Sequence, residues 1–346
     1  MTFTKPLKSL TTMASAMLFA NAVLAMSDTP DEPGVSLPAP NTTVRFIAIG
    51  DMGTGKEGQY QVSRAMEQVC AQQGCDFAIG LGDNIYESGV DSTEDEQWMT
   101  KFEQPYANLD FPFYMTLGNH DNSHFGGEGL DNFKGEVQVD YTYKADRFSD
   151  KWNMPARYYH FTAPLNADVP LVDFFSLDSN PLAAVSDFNH EYWQLPYKKK
   201  HSDWMDDAYS NSTAQWKVAF AHHPMYSNGK HGNAGIYDGV PLFGQVWKDF
   251  LKDHVCDRVD LIITGHDHDL QFIKPQDKCG KTQHIVSGAG GKTREFTDPD
   301  RNATYWQKDG TYGFFWLEMK DNQLTVQAWT VNGDTFTKEF ERVQTK

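Results

Sequence analysis

The chain has 346 residues, of which 40% are hydrophobic and 14% aromatic, enough apolar material for one large packed domain or two ordinary ones. Its formal net charge is −17, which argues against a nucleic-acid or anionic-membrane surface. That sum does not fix the field at any one site, because bound cations invert it locally.

Lys5 and Lys8 precede an apolar stretch from about Met13 to Leu24, broken by Asn21, and Val23-Leu24-Ala25 offers a small-residue cleavage site. Residues 1–25 therefore read as a signal peptide. The run is too short for a spanning helix, and no later segment is long enough either. The expectation is an exported protein, secreted or periplasmic, with no membrane span. Residues 26–41 hold Pro30, Pro33, Pro38 and Pro40 among polar residues and read as a flexible linker. No clear boundary follows, so 42–346 is expected to be one domain. Cys70, Cys75, Cys256 and Cys279 allow three connectivities, and an exported chain permits disulfides. The two local pairs, Cys70–Cys75 and Cys256–Cys279, are favoured. Sequons at Asn41, Asn211 and Asn302 matter only in a host that glycosylates.

The first strand is Val44–Ile49, closed by Gly50-Asp51-Met52-Gly53. A helix over 58–73 places Val62, Met66 and Val69 on one face. The apolar run Phe77–Leu81 is a buried strand that ends in Gly82-Asp83-Asn84-Ile85-Tyr86. A second helix is expected over 94–106, after Asp91-Ser92-Thr93. A third strand, Phe113–Leu117, ends in Gly118-Asn119-His120-Asp121. Residues 122–154 read as a long irregular loop. Strands follow at 158–162 and 172–177, then an irregular insertion over 180–200 and a helix over 201–210. Trp216–Ala221 is a strand ending in His222-His223-Pro224, 241–254 a helix, and Leu261–Thr264 a strand ending in Gly265-His266-Asp267-His268-Asp269. Five further strands are expected, at about 270–274, 284–287, 314–319, 324–330 and 335–343.

Five strands thus end in clusters of metal-competent side chains, and open α/β sheets collect such ends at one edge. The candidate donors are Asp51, Asp83, Tyr86, Asn119, His222, His266 and His268. Each alone has a bland reading: a turn-capping carboxylate, a turn asparagine, a core histidine. Together at strand ends they point to metal. Carboxylate and imidazole without thiolate suit iron, manganese or zinc. Seven donors are too many for one tetrahedral ion, but with Asp83 shared they make two four-donor sites. Two ions about 3.5–4 Å apart clamp the entering and leaving oxygens of a phosphoryl displacement. A phenol ionises near pH 10, so Tyr86 as a donor favours a highly charged ion, best a ferric one.

These motifs resemble the metallophosphoesterase superfamily and, within it, the purple acid phosphatases of the small tartrate-resistant type. The pattern Asp-x-Gly, Gly-Asp-x-x-Tyr, Gly-Asn-His-Asp, His near Pro and Gly-His-x-His occurs in order at Asp51, Gly82–Tyr86, Gly118–Asp121, His222–Pro224 and Gly265–His268. Trp152–Pro155 and Ser287–Gly290 also look like family segments. The resemblance implies an α/β fold of two mixed β-sheets flanked by helices in a single domain. It implies Fe(III) on Asp51, Asp83, Tyr86 and His268, and a divalent iron, zinc or manganese ion on Asp83, Asn119, His222 and His266. His120 and His231 match the family's substrate-side histidines, which orient the substrate, one of them protonating the leaving alcohol. The implied activity is an exported acid phosphatase hydrolysing phosphate monoesters by attack of a metal-bound hydroxide. Small phosphomonoesters, and phosphoproteins beyond them, are the expected substrates, and the expected state is a monomer. A phosphodiesterase of the cyclic-nucleotide type is the alternative; those relatives carry Asp-x-His at the first motif, where this chain has Gly53. A non-catalytic phosphate- or iron-binding protein would have no use for His120 and His231.

Overall fold

The computed structural model describes residues 39, 42–184 and 187–346. The signal peptide expected over 1–25 and, apart from Ala39, the linker expected over 26–41 lie outside the described residues. Among these, no helix is long and apolar enough to cross a membrane.

Strands β1 (Thr43–Ile49), β2 (Phe77–Leu81), β3 (Phe113–Thr116) and β4 (Trp152–Asn153) pair parallel in succession. Helix α1 (Glu57–Gln73) crosses from β1 to β2, and α2 (Glu136–Tyr143) lies between β3 and β4. A second sheet holds β5 (Tyr159–Ala163), β6 (Val172–Ser176), β7 (Trp216–Phe220), β8 (Leu261–Thr264), β9 (Leu270–Ile273), β10 (Gln283–Ser287) and β11 (Thr304–Lys308), in the order β11-β9-β10-β8-β7-β6-β5. Helices α3 (Asn180–Ala183) and α4 (Gln194–Asn211) connect β6 to β7, and α5 (Gln245–His254) connects β7 to β8. The chain then returns to the first sheet through β12 (Tyr312–Lys320), β13 (Gln323–Asn332) and β14 (Thr335–Thr345), with β12 antiparallel to β1. The result is the expected pair of mixed sheets flanked by helices.

Alternation along the strands explains why the sheets stack. Phe174 of β6 points into the sandwich and meets Phe46 of β1 and Phe77 of β2 edge-on, at 5.1 and 5.2 Å between ring centres. Its neighbour Phe175 points the other way, into a second cluster with Met205, Trp247 and Phe250 from the helices. Each such ring buried from water contributes about 1.5–3 kcal/mol. Both favoured disulfides form, Cys70–Cys75 at the end of α1 and Cys256–Cys279 after α5.

Three local expectations need correction. The helix over 94–106 shortens to Met99–Glu103, because the Asp95 carboxylate takes the N–H groups of Asp91 and Gln97 and Pro105 stops the winding. The irregular stretch 122–154 contains α2, whose Val137, Val139 and Thr142 favour strand and whose only buried residues are Gln138 and Tyr141. The insertion over 180–200 contains α3 and the first two turns of α4, where Pro196 is tolerated in the first turn because the N–H it lacks would have no intrahelical acceptor there. Strand β11 was not anticipated: all five of its residues are half-buried, so no alternation marks it.

Candidate metal centre

Asp51 follows β1, Asp83 and Tyr86 follow β2, Asn119 follows β3, His222 follows β7, and His266 and His268 follow β8. Both sheets therefore deliver side chains to one edge. Gly118 and Gly265 allow the strands' ends to meet: a Cβ on Gly118 would lie 2.2 Å from Asp83 Oδ1, and one on Gly265 would lie 2.5 Å from Asp51 Oδ2. Asp51, Asp83 and His266 have φ of 56°, 53° and 71°, a left-handed backbone that costs side-chain-bearing residues about 1–3 kcal/mol each. Three such positions at one edge mark where surrounding structure overrides local preference.

All seven expected donors converge, in two groups. Tyr86 Oη lies 3.0 Å from Asp51 Oδ1, 2.9 Å from Asp83 Oδ2 and 3.3 Å from His268 Nε2. His222 Nε2 lies 2.9 Å from Asn119 Oδ1, 3.1 Å from His266 Nδ1 and 3.4 Å from Asp83 Oδ1. Asp83 thus presents one oxygen to each group. The donors are aimed by their other atoms. His222 Nδ1–H donates to the Leu81 carbonyl at 2.8 Å, leaving Nε2 as a lone pair. Asn119 Nδ2 donates to the Gly127 carbonyl at 2.8 Å, so its Oδ1 faces inward. Asp51 Oδ2 accepts from His266 N at 2.8 Å, and Asp83 Oδ1 accepts from His120 N at 2.9 Å.

The electrostatics fit cations. Burial pushes the Asp51 carboxyl up to about 8, with His222 opposing and Asp83 reinforcing. Against burial, His222 and His120 hold Asp83 below the ordinary carboxylate range. Burial, then Asp51 and Asp83, drives the Tyr86 phenol far above its usual value. Burial, then Arg294, lowers His268 to about 3, and burial with neighbouring imidazoles holds His266 well below 6.5. Burial favours the protonated forms of Asp51 and Tyr86, while the His266 and His268 imidazoles resist protonation and keep their lone pairs; cations would displace the acid protons and take those lone pairs. Such a donor set is suited to two metal ions.

His120 and His231 flank the donors. The His120 ring is 4.4 Å from that of Tyr86; its Nδ1 donates to the Glu87 carbonyl, and its Nε2 lies 4.0 Å from Asp83 Oδ2. The His231 ring is 4.1 Å from that of His266. Its Nδ1 lies 2.8 Å from Asp238 Oδ1 and its Nε2 3.1 Å from Arg294 Nη1. An arginine only donates, so Nε2 accepts and the proton is on Nδ1. In this arrangement His231 offers the leaving group no Nε2 proton.

Several contributors escaped sequence reasoning. His223 places a ring nitrogen within 4.8 Å of those of His222 and His266, with its Nδ1 on Ser179 Oγ at 2.8 Å. Its position directly after His222 was the available signal. Asp121, the last residue of the Gly118–Asp121 motif, gathers the N–H groups of Gly118, Asn84 and Ile85 and the Gln138 amide, bracing the loops that carry Asp83 and Asn119. Asp267 accepts from His231 N at 2.8 Å. Lys292 stands 3.6 Å above the Tyr86 ring centre. Neither Lys292 nor Arg294 carries a local sequence signal.

Comparison with known proteins gives the family and the fold. The defining pattern of the calcineurin-like phosphoesterases matches residues 44–270. Purple acid phosphatase 3 of Arabidopsis thaliana is 28% identical over 84% of this chain and 75% of its own length. Human tartrate-resistant acid phosphatase type 5 is 25% identical over 85% of this chain and 90% of its own. Among solved structures, GAP50, the anchor in the inner membrane complex of Plasmodium, superposes with a TM-score of 0.66 at 20% identity, over 86% of this chain and 88% of that one. A dimetal phosphatase from Danio rerio gives 0.54 at 15% identity, over 89% and 99%. With that pattern running from β1 through the loop that carries His266 and His268, the chain belongs to the calcineurin-like phosphoesterase family and is a phosphatase enzyme.

Proposed function

We propose that the protein is an exported acid phosphatase of the purple type, hydrolysing small phosphate monoesters. The observation that carries this reading is the sharing of Asp83 between two donor groups, one of which contains Tyr86. Asp51, Asp83, Tyr86 and His268 would hold Fe(III), and Asp83, Asn119, His222 and His266 a divalent iron, zinc or manganese ion. Such a pair supplies Lewis acidity toward phosphoryl oxygens and a water acidic enough to attack at low pH. The chain's own residues hold the donors at fixed spacing, so little reorganisation accompanies charge development. His120, with Nδ1 tied to Glu87, keeps Nε2 toward the site and is the residue placed to orient the phosphoryl group or pass a proton to the leaving oxygen. Water adds at phosphorus, the bond to the leaving oxygen breaks, and that oxygen takes a proton. Two disulfides suit an oxidising compartment and so support export; in this reading residues 1–25 are removed and the 42–346 catalytic domain acts as a monomer.

The test is metal analysis and a visible spectrum of the purified protein, with turnover of phenyl phosphate and a phosphodiester measured at acid pH. Iron, a purple band and monoester preference are expected. A colourless, iron-free, fully metallated enzyme that prefers diesters would overturn the assignment.

A further inference from the structure

Arg294 is an arginine at the edge of the site, with no acidic partner among the described residues. It sits in the extended segment that follows β10, its backbone N–H donating to the His268 carbonyl at 2.9 Å, which fixes that segment against a donor loop. Its guanidinium gives one N–H to His231 Nε2 at 3.1 Å, and no carboxylate pairs with it among the described residues. In a chain of net charge −17 an unpaired arginine beside a buried site is conspicuous. Lys292, two residues earlier on the same extended segment, stands over Tyr86 and reaches Glu87 at 3.1 Å. Both cations therefore lie on the flank formed by Tyr86, His268 and His231.

His231 steadies this arrangement. Asp238 accepts its Nδ1 proton, and the lone pair on Nε2 takes the arginine's N–H, so one fork of the guanidinium is fixed and the rest is left to bind. A guanidinium matches carboxylate and phosphate oxygens in pairs. The phosphoryl group under attack belongs against the seven donors. Arg294 is only half-buried and meets the site across His231, on a side where the remainder of a bound substrate can extend.

We propose that Arg294, steadied by His231 and flanked by Lys292, is the subsite for a second anionic group on the leaving-group side of the substrate, a carboxylate or a phosphate. The inference rests on the phosphatase reading and gives it a substrate preference: phosphate compounds whose leaving group is itself an anion.

The test uses metal-loaded wild type, Arg294→Gln and Arg294→Lys, with phenyl phosphate, 3-phosphoglycerate and pyrophosphate as substrates. Arg294→Gln is expected to lose about 10- to 100-fold more kcat/KM on the two doubly anionic substrates than on phenyl phosphate, mostly through KM. Arg294→Lys, which keeps the charge and loses the fork, should fall between. Calorimetric binding of methylenediphosphonate against methylphosphonate supplies a readout free of turnover, and its affinity ratio should collapse in Arg294→Gln. Selective loss on 3-phosphoglycerate alone names a carboxylate, and on pyrophosphate alone a phosphate; either supports the subsite. Equal losses on all three substrates with an unchanged binding ratio overturn it, leaving Arg294 as a support for His231. If loaded wild type turns over none of the three, the phosphatase reading itself fails. Should Arg294→Gln not fold, the phosphonate ratio in Arg294→Lys and Lys292→Met decides; no change in either refutes the proposal.

Discussion

Gly118→Ala is the smallest change that should dismantle the site. The added Cβ would lie 2.2 Å from Asp83 Oδ1 and 2.3 Å from the Asp83 backbone nitrogen. Ordinary contact begins at 3.4 Å, so something must retreat by about 1 Å, and a misplacement of that size costs on the order of 100-fold in rate. A rotamer change cannot absorb it, because one of the struck atoms is backbone. Asp83 faces both donor groups, so affinity should fall at both, by about 10- to 100-fold each. Metal titration of the chelated protein, followed by kcat/KM for phenyl phosphate, measures the two effects, with thermal unfolding of the metal-free forms as a check on folding. Wild-type affinity at both positions, with activity within about threefold, would show that Asp83 is not pinned as described and that the shared-carboxylate argument is wrong.

Three further outcomes are expected. Iron-loaded Tyr86→Phe should lose the visible band while keeping its divalent ion; a retained band would remove Tyr86 from the centre. Asp51 is pushed up to about 8 by burial, so the metal-free fold resists its ionisation and loses stability as pH rises toward that value. Between pH 6.5 and 8 the Tm gap between loaded and chelated protein should therefore widen, and a constant gap contradicts the argument. His201 in α4 is buried between Tyr158 and Phe250, neither ring nitrogen has a partner among the described residues, and burial with His254 nearby lowers it to about 3. It stays neutral when folded, so its presence costs stability as pH falls through 6.5; His201→Phe should recover about 3 kcal/mol at pH 4 relative to its effect at pH 7. Urea unfolding at both pH values checks this, and parallel pH dependence of the two proteins refutes it.

How much was legible follows from where information resides in the chain. β2 and β8 are continuous apolar runs that stop at a glycine, so both their limits and the donors just beyond them are written locally. The seven donors could be found because each lies within a few residues of a strand's end, marked by a glycine for all but His222. Arg294 and Lys292 lie in an extended segment with no periodicity, and only the folding of β10 beside β8 brings them to the site. Asp238 follows a loop that closes through backbone contacts, including its own N–H to the His231 carbonyl. α2 is read against its own propensity, because Gln138 is held inward by Asn84 and Asp121 and by no apolar stripe. In each case the missing information is a contact between residues distant in sequence.

A chain of net charge −17 that acts on anions must reconcile two fields, and salt separates them. At about 10 mM ionic strength charges act over about 30 Å, and the acidic surface as a whole repels a phosphate ester. At about 150 mM the range shrinks to about 8 Å, which still includes Lys292, Arg294 and the metal centre but discards most of the surface. Near 1 M it is about 3 Å, and the local attraction is screened too. For the loaded enzyme, kcat/KM on 3-phosphoglycerate should therefore rise between about 10 and 150 mM salt and fall toward about 1 M. Arg294→Gln should keep the rise, which comes from the surface, and flatten the fall, which comes from the rim. A fall from the lowest salt onward in wild type would mean that the local cations govern approach at every distance, and that the acidic surface faces away from the entrance.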